Sequence, residues 1–161
     1  MRPQHYTWGI VLGMVIGMEQ AVEVLRSGGP LIFPTDTVWG IGVAVEHCAG
    51  TAALAQAKGR DAGKPIAWLV ADASALDAYG CEVPAYARRL ADAFWPGALT
   101  LVVKASPAVP WGYASADGTI GLRMPDSACA LALAQAAESP LAATSANLAG
   151  YPARSVQDAP D

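Results

Sequence analysis

The sequence is poor in charge, since only 15% of its 161 residues are charged. Ten of these are lysine or arginine and fourteen are aspartate or glutamate, which gives a formal net charge of -4. Non-specific electrostatic binding of nucleic acid needs a broad basic surface, and this composition argues against such a surface. A local group of cations could still bind a nucleotide phosphate. The 53% hydrophobic content argues against disorder and favours a compact α/β core.

The sequence also lacks paired cysteines. Cys48, Cys81 and Cys129 are odd in number and widely spaced. They form neither a CxxC motif for zinc or redox chemistry nor an even set typical of a disulfide framework. We therefore expect three small buried apolar side chains in a protein of the reducing cytoplasm.

The apolar stretch Trp8–Met18 is too short to span a bilayer as a helix. Arg2 precedes it, as in a signal peptide, but no small-x-small cleavage site follows. The third interpretation, which we favour, is that Met18 is the natural start, because "MEQAVEVLRSGG" is typical of a first helix. The sequence thus predicts an N-terminal extension at residues 1–17 and a single domain at 18–161.

Apolar periodicity and turn residues predict helices and strands that alternate along the chain. The predicted helices are Glu19–Arg26, Ala49–Lys58, Ser74–Tyr79, Pro84–Phe94 and a segment from the cap Asp126 to Ala137, and the predicted strands are Leu31–Phe33, Val38–Val45, Ile66–Val70, Leu99–Lys104, Thr119–Arg123 and Leu141–Ala143. Such alternation predicts the α/β class, a sheet with flanking helices, and leaves the strand order open. The segment Ser106–Gly118 is typical of a long loop.

Polar side chains follow three of these strands. In "LIFPTDTVWGIG", Pro34 should interrupt the strand ladder, and two hydroxyls and a carboxylate follow at Thr35–Thr37. "LAATSANLAG" ends in hydroxyls and an amide, and "TIGLRMP" ends in Arg123. A simple alternative for the first motif is a capped turn. Because ligands of open α/β sheets bind beyond the strand ends, the three motifs together indicate a binding site for anions or nucleotides.

A cationic loop lies between a predicted helix and a predicted strand. "KGRDAGKP" carries Lys58, Arg60 and Lys64, with two glycines between them. Arginine offers a planar fork to phosphate or carboxylate, and lysine offers a compact charge. An isolated run of this kind is also typical of a solvated surface loop. Its coincidence with the polar strand ends favours the binding site.

Five motifs carry a resemblance to a known family. "FPTDTVWGIG", "KGRDAGKPIAWLV", "FWPGALTLVV", "TIGLRMPD" and "PLAATSANLAG" occur in this order, between about Glu19 and Pro152, as in the YrdC-like family of threonylcarbamoyl-AMP synthases. The Lys-x-Arg and Ser-x-Asn pattern of that family falls on Lys58, Arg60, Ser145 and Asn147. The resemblance implies one domain with a twisted mixed sheet, flanking helices and a large concave cavity.

The resemblance also implies an activity. Members bind ATP, L-threonine and bicarbonate and release threonylcarbamoyl-adenylate and pyrophosphate; a partner enzyme then transfers the threonylcarbamoyl group to an adenosine of tRNA. Such chemistry needs positioning and charge stabilisation, so no histidine dyad is required, and neither His5 nor His47 is assigned a role. Mg²⁺ is implied by the use of ATP, without a cluster of protein carboxylates dedicated to it.

The family pattern assigns roles to residues of this sequence. Lys58 and Arg60 are expected to be catalytic, by neutralising carboxylate, bicarbonate or phosphate oxygens. The residues expected to bind threonine and bicarbonate are Thr35, Thr37, Lys58 and Arg60, and those expected to bind the nucleotide are Lys64, Arg123, Thr144, Ser145 and Asn147. The corner Trp95-Pro96-Gly97 is expected to be structural.

The sequence departs from the family in one respect and leaves other functions open. Members usually continue beyond the segment matching Pro152, with a strand and an arginine that helps to hold the nucleotide. Without them an open sheet edge would need cover, from the N-terminal extension or from another subunit in an oligomer.

One alternative function is a nucleotide- or double-stranded-RNA-binding module without turnover. The carbamoyl-adenylate domain of hydrogenase maturation proteins is another, disfavoured by the stand-alone length and the lack of CxxC pairs.

Overall fold

The computed structural model describes residues 9–11, 14–58, 66–147, 150–153 and 155. The strands are β1 Gly9–Val11, β2 Met14–Ile16, β3 Leu31–Pro34, β4 Trp39–Ala44, β5 Ala67–Leu69, β6 Gly80–Cys81, β7 Leu101–Ala105, β8 Thr119–Arg123 and β9 Leu141–Ser145. The helices are α1 Met18–Arg26, α2 Ala52–Lys58, α3 Ala75–Tyr79, α4 Ala85–Phe94 and α5 Ala128–Ala136. Among the described residues, no helix is long and apolar enough to cross a membrane.

The strands form one mixed sheet in the order β2-β1-β3-β4-β9-β5-β8-β7-β6. Neighbouring strands are antiparallel, except for β5 and β8, which are parallel. The α/β class with a mixed sheet and flanking helices, as predicted, is confirmed. The pairing of β4 with β9 sets Gly40 opposite Ser145, so the turn after β3 lies near the end of β9.

Each face of the sheet has its own apolar core. On the first face, α2, α3 and α4 contribute side chains such as Leu54, Leu76 and Ala91, which pack around Trp68 of β5. On the second face, α1 and α5 cover β3, β9 and the end of β5. The part of that face formed by β7 and β8 stays open, since Val102, opposite Gly121, is 68% exposed. A hollow results on one half of this face.

β1 and β2 lie within the segment that the sequence assigns to an extension. They form an antiparallel hairpin, and β1 pairs with β3 through Ile10 and Ile32. In the described part of this segment, the hairpin therefore extends the sheet beyond β3. The division of the chain into an extension at 1–17 and a domain at 18–161 stays a prediction.

The predicted helix and strand limits agree with the structure to within a few residues, with one informative error at the start of α5. The predicted cap, Asp126, precedes the observed one, which is Ser127. The Ser127 hydroxyl accepts from the backbone N–H of Ala130 at 3.3 Å and donates to the carbonyl of Pro34 at 3.0 Å. The same side chain thus caps α5 and ties its start to the end of β3.

The three cysteines are half-buried, rather than fully buried as expected. Cys48 packs against the first core and Cys129 against the second. Burial raises the pKa of the Cys129 thiol to about 12, so this group stays protonated at neutral pH and behaves as an apolar side chain.

Helix α1 ends at a glycine for a steric reason. Ala21 and Leu25, one turn apart, are buried against the second core. Gly28 has a φ of +79°, and a Cβ placed there would lie 2.6 Å from the carbonyl oxygen of His47. The end of α1 and the residues after β4 therefore approach each other as closely as a glycine permits.

We expect the substitution Gly28→Ala to lower the free energy of unfolding by about 2 kcal/mol, because a strained backbone conformation and a steric overlap add up. Gly118→Ala is the matched control. Gly118 has a similar φ of +74°, but nothing lies within 4 Å of the place that an added methyl group would occupy. Its expected cost is about 1 kcal/mol, from the backbone alone. Urea denaturation followed by circular dichroism measures both costs, and equal costs would contradict the steric argument.

Candidate functional site

Lys58, the last residue of α2, brings its ammonium group to the end of β9. It is 7% exposed, and its Nζ donates to the backbone oxygen of Ser145 at 2.6 Å. Further acceptors are the Ser145 hydroxyl at 3.2 Å, Asn147 Oδ1 at 3.3 Å and the Thr144 hydroxyl at 3.4 Å. Burying a lysine is costly unless polar groups surround its charge, and these oxygens do so. The predicted link between "KGR" and "TSAN" is therefore present at Lys58.

The turn after β3 is organised by the hydroxyl of Thr35. Its Oγ1 accepts from the backbone N–H groups of Thr37 and Val38, each at 3.2 Å, and lies 2.7 Å from the Val38 carbonyl oxygen. Thr37 Oγ1 lies 3.1 Å from the same hydroxyl. The capped-turn interpretation is thus right in geometry. The capped turn also places both hydroxyls at a cleft.

Arg123, at the end of β8, is held by three residues of two other segments, the corner at Gly97 and the turn after β3. Its Nε donates to the Gly97 carbonyl at 3.0 Å, its Nη1 to Thr37 Oγ1 at 3.3 Å and its Nη2 to Asp36 Oδ1. The side chains of Arg123 and Asp36 are 13% and 14% exposed. The corner at Gly97, expected to be structural, therefore also holds a site residue.

A cleft of about 100 Å³ joins these groups. Its lining contains five of the predicted site residues: Thr35, Thr37, Arg123, Thr144 and Ser145. A wider hollow of about 600 Å³ lies next to it, over the open half of the sheet, and the two share Ala67 and Thr100 in their linings. Together they form the concave cavity that the resemblance implies.

The structure brings seven of the nine predicted site residues together: the five that line the cleft, and Lys58 and Asn147 beside it. Arg60 and Lys64 lie outside the described residues. The binding and catalytic roles of all nine stay predictions. Sequence reasoning missed Asp36 and Gly97 as partners of Arg123, although Asp36 stands in a singled-out motif and could have been considered as the counter-ion of Arg123.

The two cations described at this site have different partners. The hydrogen bonds of Lys58 described above all go to neutral oxygens, whereas Arg123 is paired with Asp36. In the part of the chain that the structure describes, no three His, Cys, Asp or Glu side chains are grouped to hold a metal ion. The prediction that the protein has no dedicated metal site stays a prediction.

The fold and the site define an α/β protein with a cationic, hydroxyl-lined cleft on a half-open sheet. The family model Sua5/YciO/YrdC, described as "Telomere recombination", matches residues 23–160. The chain belongs to this family, which confirms the resemblance.

Several relatives are named threonylcarbamoyl-AMP synthase. A putative one from Mycobacterium tuberculosis is 40% identical over 136 residues, which cover 84% of this chain and 62% of the relative. One from Bacillus subtilis is 38% identical over 134 residues, covering 83% of this chain and 39% of the relative. This chain therefore spans less than two thirds of the length of these relatives.

Two solved structures support the fold. The crystal structure of Sua5 from P. abyssi in complex with L-threonine superposes with a TM-score of 0.80 at 36% identity, covering 85% of this chain and 40% of that one. The crystal structure of YciO from E. coli gives a TM-score of 0.72 at 30% identity, covering 83% of this chain and 65% of that one.

Proposed function

We propose that this protein is a threonylcarbamoyl-AMP synthase, which forms threonylcarbamoyl-adenylate and pyrophosphate from L-threonine, bicarbonate and ATP. The observation that carries the proposal is the single cleft that the Thr35–Thr37 turn, Arg123 and the end of β9 share beside the buried Lys58. The names of the relatives and the threonine bound to P. abyssi Sua5 support the same activity.

The reaction would proceed in two steps at this cleft. The amine of threonine attacks bicarbonate and, with loss of water, gives a carbamate. A carbamate oxygen then attacks the α-phosphorus of ATP, and pyrophosphate leaves. Both steps join anions, so a site that positions them and offsets their charge accelerates the reaction.

The residues contribute to these steps through their hydrogen bonds. Lys58 donates to the hydroxyl oxygens of Thr144 and Ser145, so their own O–H groups are available to donate to an anion. We assign the nucleotide phosphate to these hydroxyls with Asn147, Arg123 and Lys64, and threonine and bicarbonate to Thr35, Thr37, Lys58 and Arg60.

Mg²⁺ would reach this site with the nucleotide. Asp36, the carboxylate of the Thr35–Thr37 turn, is already paired with Arg123. The donors lining the cleft are hydroxyls and a guanidinium, which suit phosphate oxygens better than a metal ion. The ion would supply charge neutralisation on the phosphates of ATP, where the phosphate oxygens hold it.

The reactivity of the proposed product indicates what kind of partner enzyme consumes it. A threonylcarbamoyl-adenylate is a reactive mixed anhydride, so we propose that a tRNA-modifying transferase consumes it in the cytoplasm, where ATP and tRNA are found.

Binding of double-stranded RNA without turnover is disfavoured by the net charge of -4. A salt titration of RNA binding would separate the two functions, because an extended phosphate contact gives a steep salt dependence.

The decisive measurement is pyrophosphate release from ATP. We expect release that requires both L-threonine and bicarbonate and ceases when either is left out. Calorimetry should show that L-threonine and ATP bind with coupled affinities, since one cavity would hold both. If saturating substrates gave no pyrophosphate, or pyrophosphate that did not depend on threonine, the proposed function would be wrong.

A further inference from the structure

Arg123 has a guanidinium group that is only partly used by the protein. It carries five N–H groups, of which one each on Nε, Nη1 and Nη2 is engaged by Gly97, Thr37 and Asp36. One N–H on Nη1 and one on Nη2 are left over in this set of contacts. Because Arg123 lines the cleft, these two can meet an anionic oxygen of a bound substrate.

Asp36 differs from the other two partners of Arg123. Among the contacts of Arg123 in the described part of the chain, it is the one with a charged group. Charge-assisted hydrogen bonds are shorter and stronger than neutral ones, and this pair is mostly shielded from water, with side chains 13% and 14% exposed. Asp36 is also absent from the residues that line the cleft. It therefore acts on a ligand through Arg123.

We propose that Asp36 is a positioning residue that locks the Arg123 guanidinium in the orientation that serves substrate anions, a role that rests on the proposed function. Without Asp36, the long arginine side chain keeps two neutral contacts and gains rotational freedom. The loss of a fixed orientation lowers the rate and affinity for an anion even though the positive charge is retained.

The alternative role for Asp36, charge neutralisation alone, predicts a change in ATP affinity of the opposite sign. If Asp36 served only to neutralise Arg123, its removal would leave an uncompensated cation at the cleft, and ATP would bind more tightly. If Asp36 orients Arg123, the same removal weakens ATP binding. The variant Asp36→Asn, which keeps shape and removes charge, separates the two.

The kinetic experiment uses the full chain and measures kcat and KM for ATP in pyrophosphate release. We expect Asp36→Asn to lower kcat/KM for ATP about tenfold, the scale of a lost charge-assisted hydrogen bond. Asp36→Glu, which keeps the charge, should recover part of the loss. In an Arg123→Lys background, Asp36→Asn should cause little further loss, because the group that it positions is already gone.

The surface pair of Asp77 and Arg88 provides the control. Asp77→Asn breaks an Asp–Arg ion pair as well, but there the side chains are 61% and 47% exposed and lie on α3 and α4, away from the cleft lining. It should leave kcat/KM unchanged. Tighter ATP binding in Asp36→Asn, or a lower melting temperature with unchanged kcat/KM, would overturn the positioning role.

A spectroscopic readout tests the inference without turnover. The Nε–H of Arg123 donates to the Gly97 carbonyl, so its NMR signal should exchange slowly with water in the native protein. Exchange should become faster in Asp36→Asn, while the backbone amides remain protected. If the native chain neither binds ATP nor releases pyrophosphate, the proposed function fails, and this signal still decides the role of Asp36. Unchanged exchange would overturn that role.

Discussion

Replacing Lys58 by methionine should reduce threonine-dependent pyrophosphate release at least about 100-fold, the usual effect of removing one preorganised group that stabilises transition-state charge. Methionine fills similar space but provides no charge and no N–H. The Ser145 carbonyl and the Asn147 amide oxygen would then lose the donor that lies 2.6 and 3.3 Å away in the native protein. The end of β9 would lose both the hydrogen bonds that fix its shape and the positive charge beside it.

Two further lysine variants define the cause of this loss. Lys104→Met is the matched control, because Lys104 is 64% exposed and pairs with Glu82 on the surface; it should be as active as the native protein. Lys58→Arg keeps the charge but replaces a compact ammonium by a wide planar fork, so we expect a partial loss. Circular dichroism measures whether each variant is folded. A fully active Lys58→Met would remove Lys58 from the proposed mechanism.

The largest effect on stability is expected at Trp68 of β5. Its side chain is fully buried in the first core and makes edge-to-face contacts with Tyr79 and Tyr113, at ring-centroid distances of 5.0 and 5.5 Å. Trp68→Ala should lower the free energy of unfolding by about 3–5 kcal/mol, because it leaves a cavity between two aromatic rings. Urea denaturation measures this value.

The loop between β7 and β8 supplies the matched control for Trp68. Trp111 is 98% exposed, so Trp111→Ala should change the free energy of unfolding by less than about 0.5 kcal/mol. Trp68→Phe should cost much less than alanine, since a ring remains. It also removes an indole N–H that is buried without an acceptor among the described residues. Equal losses at positions 68 and 111 would contradict the burial argument.

The elements that the sequence predicts follow from local signals, which is why their limits were predictable, whereas β1, β2 and β6 were not predicted. Ala21 and Leu25 mark one face of α1, and Gly28 ends it, all within a short segment. The cap of α5 was misplaced by one residue because Asp126 and Ser127 are adjacent and both are good capping residues; only the contact with Pro34, which is distant in sequence, favours the serine.

The site was predictable in composition but not in its contacts. Its motifs indicated that Lys58 and Ser145 act together, and the structure places them in hydrogen-bond contact. The pairing of Asp36 with Arg123, 87 positions apart, depends on the strand order and on how the turn after β3 lies over the sheet. Local sequence patterns carry no information on the strand order or on the position of this turn. The sequence alone therefore could not identify Asp36 as the counter-ion of Arg123.

The assembly of the cleft from distant segments has a thermodynamic consequence. Lys58 meets Ser145 across 87 positions of the chain, and the turn at Thr37 meets Arg123 across 86. The unfolded chain has no such constellation, so a substrate can bind only the native state. Occupancy is therefore linked to folding: each tenfold rise in free ligand above its dissociation constant adds about 1.4 kcal/mol to the stability of the whole molecule.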